Sequence, residues 1–173
     1  LFYIPDEVLK FFRYALRTGE QQEKQWQERL NSYRQAYPEL AGELERRLAG
    51  KLPQNWTEGL PEFPADPKGM ASRSASGKVL NNLSEKLPEL FGGSADLAPS
   101  NNTWMNNSVA FSLDHREGRN VHFGVREHAM GSIVNGMAYA GGMIPFGATF
   151  LVFSDYMRPA IRLSALSHLG SIW

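Results

Sequence analysis

The sequence predicts an α/β protein in which a helical segment and a linker precede part of a domain with a mostly parallel sheet. Three observations lead to this prediction. Apolar residues recur at steps of three and four through residues 1–50, and four prolines interrupt residues 51–68. Strand-like and helix-like segments then alternate through residues 69–173, as is typical of an α/β domain.

The first helical signals lie near the N-terminus. Asp6 and Glu7 follow Pro5, which is typical of a first helical turn, and the pair Thr18-Gly19 predicts the end of this helix. A second apolar series follows at helical spacing: Trp26, Leu30, Tyr33, Tyr37, Leu40, Leu44 and Leu48.

The second series contains residues that are typical of helix starts and helix ends. Pro38 interrupts it but suits the first turn of a new helix, and Gly50 suits a left-handed cap. Charges of both signs are interspersed on the polar faces, which favours solvated faces over a partner-binding surface. We therefore predict a helix, a break and a helix in residues 1–50, with no chemistry assigned to them.

The prolines at positions 53, 61, 64 and 67 predict a linker over residues 51–68, because proline excludes a long helix or a central strand. A domain boundary is predicted near residue 68. In residues 69–173 the pattern predicts helices at 72–86, 126–139 and 155–168, and strands at 90–93, 120–123 and 144–151. The apolar end at residues 171–173 is interpreted as a cut strand.

Composition excludes several classes of protein. Eighteen basic and eighteen acidic residues leave no net charge to attract nucleic acid or an anionic membrane surface. No run of about 18 apolar residues is present to span a bilayer. The absence of cysteine excludes disulfides and thiolate metal sites. We expect a soluble protein in the cytosol or in a plastid-like interior.

Two segments carry unusual residue combinations. Residues 92–101 begin with Gly-Gly after a predicted strand, which permits close backbone approach to a ligand, although an ordinary turn explains the residue types as well. In residues 123–131 a strand leads into a helix whose first turn contains Glu127. The helix dipole favours the Glu127 anion whereas desolvation favours the neutral acid, so its protonation state stays open at this point.

Two further patterns follow Glu127. The helix at 126–139 is rich in glycine and alanine, which predicts close packing and is compatible with a subunit interface. Phe150, Phe153 and Tyr156 recur at steps of three, and spacing alone leaves core packing and a ligand pocket as alternatives. The four histidines share no metal-ligand spacing, so no metal ligand is predicted in the chain.

Taken in order, three segments resemble the transketolases over essentially the whole chain: Gly-Gly-Ser-Ala-Asp-Leu-Ala-Pro-Ser-Asn, Phe-Gly-Val-Arg-Glu-His-Ala-Met and Ala-Thr-Phe-Leu-Val-Phe-Ser-Asp-Tyr-Met-Arg. The resemblance implies that residues 1–50 end a diphosphate-binding domain. It also implies that residues 69–173 begin the parallel-sheet domain that binds the pyrimidine of thiamine diphosphate. The implied reaction transfers a two-carbon ketol unit between ketose and aldose phosphates, as in the pentose phosphate pathway and the Calvin cycle.

The resemblance also implies roles for individual residues. Glu127 matches the catalytic glutamate that hydrogen-bonds N1′ of the cofactor's aminopyrimidine and promotes deprotonation of its thiazolium. Phe150, Phe153 and Tyr156 match the aromatic pocket around the pyrimidine, with Phe153 the stacking partner. Cofactor contacts are also implied for Asp96 and Leu97, and sugar-phosphate contacts for Arg73 and Ser100.

Other expectations concern parts that the chain lacks. The family's Gly-Asp-Gly motif and downstream asparagine, which hold Mg²⁺ and the diphosphate, do not occur in this sequence. The resemblance implies a homodimer in the full-length protein and an isolated segment without catalytic activity. Two alternatives stay open: a noncatalytic interaction module with this fold, and a related thiamine diphosphate enzyme such as dihydroxyacetone synthase.

Overall fold

The computed structural model describes residues 2–173 and divides the chain into two compact units, Leu1–Glu45 and Arg46–Trp173. The first unit contains helix α1 (Asp6–Ala36), and helix α2 (Pro38–Leu48) begins in it. The break at residue 37 and the left-handed Gly50, with φ of 66°, are as predicted. The domain boundaries assigned from sequence stay a prediction.

The predicted helix end at Thr18-Gly19 is wrong, because α1 continues through both residues for 31 residues in total. A single glycine costs a helix only about 1 kcal/mol relative to alanine, which a long helix tolerates. The Thr18 hydroxyl donates a hydrogen bond to the Tyr14 carbonyl at 3.1 Å, so this side chain is accommodated inside the helix.

The second unit is built on a parallel sheet of three strands, in the order β2-β1-β3. The strands are β1 (Leu90–Ser94), β2 (Asn120–His122) and β3 (Ile144–Ala148). The helices are α3 (Ser72–Lys86), α4 (Ala98–Asn101), α5 (Glu127–Ala140) and α6 (Ser154–Leu166). This arrangement confirms the predicted α/β class and the parallel sheet.

Strand β3 is shorter than predicted because its partner strand, β1, ends at Ser94. Ala148 pairs with Ser94, the last residue of β1, and the chain then enters a 3-10 turn at Leu151–Phe153. On the outer side of β3, Ile172 forms a single parallel bridge with Phe146, with hydrogen bonds of 3.0 and 3.3 Å. The strand predicted at residues 171–173 is therefore present as one bridged residue.

Glycines at the centre of β1 allow the neighbouring strands to approach closely. A Cβ on Gly92 would lie 2.1 Å from the Phe146 carbonyl oxygen, and one on Gly93 would lie 2.0 Å from the Val121 carbonyl oxygen. Both residues lie within β1 and face backbone on either side, so close strand packing explains the Gly-Gly pair, and its approach to a ligand stays a prediction.

Two buried clusters fill the second unit. One contains Met130 and Val134 of α5 and Met157 of α6, together with Ala95 and Phe123. The other lies under α3 and contains Leu87, Leu90, Met105 and Phe146. Helices α5 and α6 meet at a glycine, because a Cβ on Gly131 would lie 2.8 Å from the Ala160 Cβ. Packing within the chain thus explains one of the small residues of α5.

A buried ion pair fixes the end of α2 to the segment that precedes β1. The carboxylate of Glu89, which is 4% exposed, accepts hydrogen bonds from Arg46 Nη1 at 2.7 Å and Nη2 at 3.0 Å. Burial acts to raise the pKa of Glu89, but the Arg46 hydrogen bonds and the positive charges of Arg46 and Arg47 hold it below its ordinary value of 4.5.

We expect the stability contribution of Glu89 to depend on pH. Because its folded pKa is lowered, the contribution is complete above pH 4.5 and is lost as the pH falls through the folded pKa. Glu89→Gln should reduce the free energy of unfolding by about 2 kcal/mol at pH 7, and by progressively less below pH 4.5. Urea unfolding of the wild type and of Glu89→Gln between pH 7 and pH 3 measures this difference in the free energy of unfolding.

Glu45→Gln is the matched control, since Glu45 forms an exposed pair with Arg34 and such pairs contribute about 0–1 kcal/mol. An effect of Glu89→Gln that stayed constant from pH 7 to pH 3 would contradict the proposed linkage.

Candidate functional site

The three segments singled out in the sequence meet at one edge of the sheet. Residue 95 follows β1, residue 123 follows β2 and residue 149 follows β3, so each segment begins where a parallel strand ends. In open α/β sheets, ligands bind in the crevice outside these carboxyl ends. The fold therefore brings together side chains that are up to about 60 positions apart in sequence.

The loop after β1 is held by hydrogen bonds on both sides of Asp96. The Ala95 amide donates to the Ala148 carbonyl at 3.0 Å, and the Leu97 amide donates to Ser94 Oγ at 2.9 Å. Asp96 itself has φ of 63°, in the left-handed region that aspartate enters more readily than most residues. Its side chain is exposed, while that of Leu97 is half-buried.

A tight turn positions Glu127 at the first residue of α5. Gly124 has φ of 69°, and the Arg126 amide donates to its carbonyl at 2.8 Å. The Arg126 guanidinium folds back and donates to the Phe123 carbonyl at 3.1 Å, in space that a Cβ on Gly124 would occupy. The positive φ of Gly124 therefore favours glycine here, whereas the flexible Arg126 side chain could move to make space for a Cβ.

The Glu127 side chain is buried without a charged partner. It is 8% exposed, and within residues 2–173 it forms no ion pair with lysine, arginine or histidine. Its hydrogen bond comes from Thr149, whose Oγ1 lies 3.4 Å from Glu127 Oε1. Glu127 is the first residue of α5, so its carboxyl group lies at the N-terminal end of that helix.

The aromatic residues form a continuous stack from the 3-10 turn into α6. The rings of Phe150 and Phe153 are stacked, with centroids 5.9 Å apart and an interplanar angle of 17°. The Tyr156 ring is tilted against Phe153 with centroids 6.1 Å apart. Phe153 is half-buried, whereas Phe150 and Tyr156 are exposed, so this stack is not ordinary core packing.

A cleft of about 480 Å³ lies between these segments, which is a size suited to a small organic ligand. Of the residues singled out in the sequence, it is lined by Asp96, Leu97, Glu127, Phe153 and Tyr156. Phe150 does not line the cleft but stacks on Phe153 beside it.

Sequence reasoning missed three residues of this site: Ala95, Val125 and Thr149. Ala95 and Val125 line the cleft, and Thr149 contacts Glu127. All three lie inside the segments that resemble the transketolases, so their position in these segments was the one signal in the sequence. Nothing in their residue types singles them out.

The predicted sugar-phosphate residues lie elsewhere. Arg73 is exposed in the first turn of α3, Ser100 is exposed in α4, and neither lines the cleft that contains Glu127. Their helices pack against each other, and a second cleft of about 500 Å³ is lined by their neighbours, among them Ser74, Lys78 and Pro99. The structure thus places Arg73 and Ser100 on adjoining elements, and their role stays a prediction.

Two family models match the chain. Residues 68–173 match the model described as transketolase, pyrimidine binding domain, and residues 1–53 match transketolase, thiamine diphosphate binding domain. The chain belongs to the transketolase family. The transketolase of Geobacillus stearothermophilus is 52% identical over 173 residues, and that of Aquifex aeolicus is 48% identical over 172 residues.

The chain spans about a quarter of these transketolases. Each match covers 99% of the chain but only 26% of the Geobacillus protein and 24% of the Aquifex protein. Among solved structures, a Pichia stipitis transketolase in complex with sedoheptulose 7-phosphate superposes with a TM-score of 0.90 at 43% identity, covering 98% of this chain and 26% of that one. Leishmania mexicana transketolase gives 0.90 at 40% identity, covering 98% and 25%.

Two negative findings apply to the described residues alone. Residues 2–173 contain no group of three or more histidine, aspartate or glutamate side chains arranged to hold a metal ion. Within the same range, no helix combines the length and the apolar character needed to cross a bilayer.

Proposed function

We propose that this chain supplies the pyrimidine-binding side of a transketolase active site. The proposed reaction transfers a two-carbon ketol unit from a ketose phosphate to an aldose phosphate, and it uses thiamine diphosphate and Mg²⁺. The observation that carries the proposal is the cleft that is lined by both Phe153 and Glu127, whose buried carboxyl group has no ion-pair partner among residues 2–173. The likeness to transketolases over the whole chain supports it.

The lining of the cleft fits an aminopyrimidine. Phe153 and Tyr156 offer aromatic surface for a flat ring, and Leu97 and Val125 add apolar walls. Glu127 would hold a ring nitrogen by a hydrogen bond from its carboxyl group and exchange a proton with it. When bound, thiamine diphosphate supplies the electron sink for cleaving and forming the carbon-carbon bond.

Burial makes Glu127 suited to this task. A carboxyl group that is shielded from water interacts more strongly with a ring nitrogen than one that is exposed. No arginine or lysine within residues 2–173 forms an ion pair that would commit it to the anion. Its carboxyl group is therefore available to a ligand that binds in the cleft.

We further propose that Mg²⁺ and the diphosphate are held by residues outside this chain, and that the complete protein is a homodimer. The exposed face of α5, which includes Ile133 and Tyr139, is consistent with such an interface. The pentose phosphate pathway or the Calvin cycle is the proposed context. The cytosol, or a plastid, is the proposed compartment, and the absence of cysteine is compatible with either.

The test is an assay of the complete polypeptide that the reading frame encodes. With thiamine diphosphate and Mg²⁺ it should transfer a ketol unit from xylulose 5-phosphate to ribose 5-phosphate, and omitting the cofactor should abolish the reaction. A folded polypeptide that binds thiamine diphosphate but accepts only formaldehyde as ketol acceptor would contradict the proposal and favour a dihydroxyacetone synthase. One that catalyses no transfer would favour a noncatalytic module.

Arg73→Ala should raise KM for phosphorylated sugars in this assay by roughly 10- to 100-fold, because a guanidinium matches phosphate oxygens and each charged hydrogen bond contributes about 1.5–3 kcal/mol. Affinity for thiamine diphosphate should not change, since Arg73 does not line the Glu127 cleft. Steady-state kinetics with phosphorylated and unphosphorylated donors measure the effect.

Arg116→Ala serves as the control, because Arg116 is also exposed and lies outside both clefts. Equal kinetics of Arg73→Ala and wild type with both kinds of donor would remove Arg73 from the substrate site.

A further inference from the structure

Among the described residues, Thr149 is the one whose side chain donates a hydrogen bond to the Glu127 carboxyl group. Its Oγ1 lies 3.4 Å from Glu127 Oε1, which is longer than the usual 2.5–3.0 Å between hydroxyl and carboxyl oxygens. No described residue hydrogen-bonds Oε2, so that oxygen is available to a ligand.

The backbone on either side of Thr149 is fixed. Its neighbour Ala148 ends β3 and accepts a hydrogen bond from the Ala95 amide at 3.0 Å. Phe150, on the other side, accepts a hydrogen bond from the Phe153 amide at 2.9 Å and stacks on the Phe153 ring. Because threonine is branched at Cβ, few side-chain conformers are open to it. The hydroxyl is thereby held toward Glu127.

A hydroxyl suits a carboxyl group that must change protonation state. It donates to the carboxylate, and its lone pairs can accept from the neutral acid, so it supports both forms. An arginine or lysine at this position would favour the anion alone. An apolar residue of the same shape would leave Oε1 without a partner in a buried setting, which is costly.

We propose that Thr149 is a positioning residue: it holds Oε1 of Glu127 so that Oε2 is directed at the pyrimidine of thiamine diphosphate. The inference rests on the proposed function, in that the ligand of Glu127 is taken to be this cofactor. Thr149 acts through Glu127 and does not itself line the cleft.

The test compares Thr149→Val, which keeps the shape and removes the hydroxyl, with Thr149→Ser, which keeps the hydroxyl. Binding of thiamine diphosphate to the complete polypeptide is measured by titration calorimetry in the presence of Mg²⁺. Thr149→Val should weaken binding about 3- to 10-fold, the value of one hydrogen bond, while Thr149→Ser stays within about twofold of wild type. Thr149→Ala replaces the valine variant if that variant fails to fold.

A double-mutant cycle with Glu127→Ala separates positioning from a structural role. If Thr149 acts through Glu127, Thr149→Val should have no further effect on binding once the carboxyl group is removed. An equal loss in both backgrounds would overturn the proposal, as would wild-type binding by Thr149→Val or an equal loss in Thr149→Ser.

The same measurements distinguish this inference from the proposed function. Absence of thiamine diphosphate binding by the unsubstituted polypeptide would overturn both. Binding without ketol transfer would overturn the proposed function alone, and the cycle would still decide the role of Thr149.

Discussion

Replacing Glu127 by glutamine is expected to lower kcat of the complete polypeptide by at least about 100-fold while thiamine diphosphate still binds. The amide has the same shape as the acid and can still accept the Thr149 hydrogen bond, but it has no exchangeable carboxyl proton to share with a ring nitrogen. Positioned acid-base groups typically contribute 10²- to 10⁴-fold to rate, so the loss should fall in this range. Steady-state ketol transfer and calorimetric binding together measure it.

Glu117→Gln is the matched control for this substitution. Glu117 is an exposed glutamate that is hydrogen-bonded to His115. Neither residue lines the cleft, so the replacement of Glu117 should leave kcat unchanged. Turnover of Glu127→Gln close to that of wild type would remove Glu127 from the catalytic role and leave it as a buried residue of the first turn of α5.

The second large effect is expected in the sheet. Gly93→Ala places a methyl group 2.0 Å from the Val121 carbonyl oxygen, so β1 and β2 cannot keep their pairing. Overpacking usually costs about 1–3 kcal/mol, and a clash with backbone lies at or beyond the upper end of that range because no side chain can rotate away. We expect loss of at least about 3 kcal/mol in the free energy of unfolding, or failure to accumulate folded protein.

Gly19→Ala is the control for this prediction. Gly19 lies inside α1 with nothing within 4 Å of the added methyl group, so alanine should stabilise the helix by up to about 1 kcal/mol. Chemical unfolding of both variants gives the comparison. A Gly93→Ala variant as stable as wild type would show that the strands can separate at little cost.

Local patterns predicted the second unit well. Helix α3 begins and ends where its apolar spacing indicated, at residues 72 and 86, because its signals act within a few turns of the chain. The end predicted at Thr18-Gly19 was wrong because a weak local stop signal does not interrupt a long helix. Helix α4 was missed because four residues carry no periodicity.

The site was predicted unevenly for a related reason. Glu127, Phe153 and Tyr156 were found because they lie in recognisable segments, and the parallel sheet brings those segments together. The contact between Thr149 and Glu127 joins residues 22 positions apart, and nothing local in either segment reveals it. The close approach of β2 and β3 to Gly92 and Gly93 likewise depends on three strands together. The sequence of this segment alone therefore left a ligand-binding loop and a tight turn as alternatives.

The walls of the cleft come from segments that follow three different strands of one sheet, so the lining can be varied in laboratory evolution without changing the strands. Asp96 and Leu97 follow β1, Val125 follows β2, and Phe153 and Tyr156 follow β3. The strands are held together by backbone pairing and by the close approach at Gly92 and Gly93. The five cleft side chains take no part in either. A library randomised at these five positions, all of which lie outside the strands, should therefore yield many folded variants that differ in ligand preference.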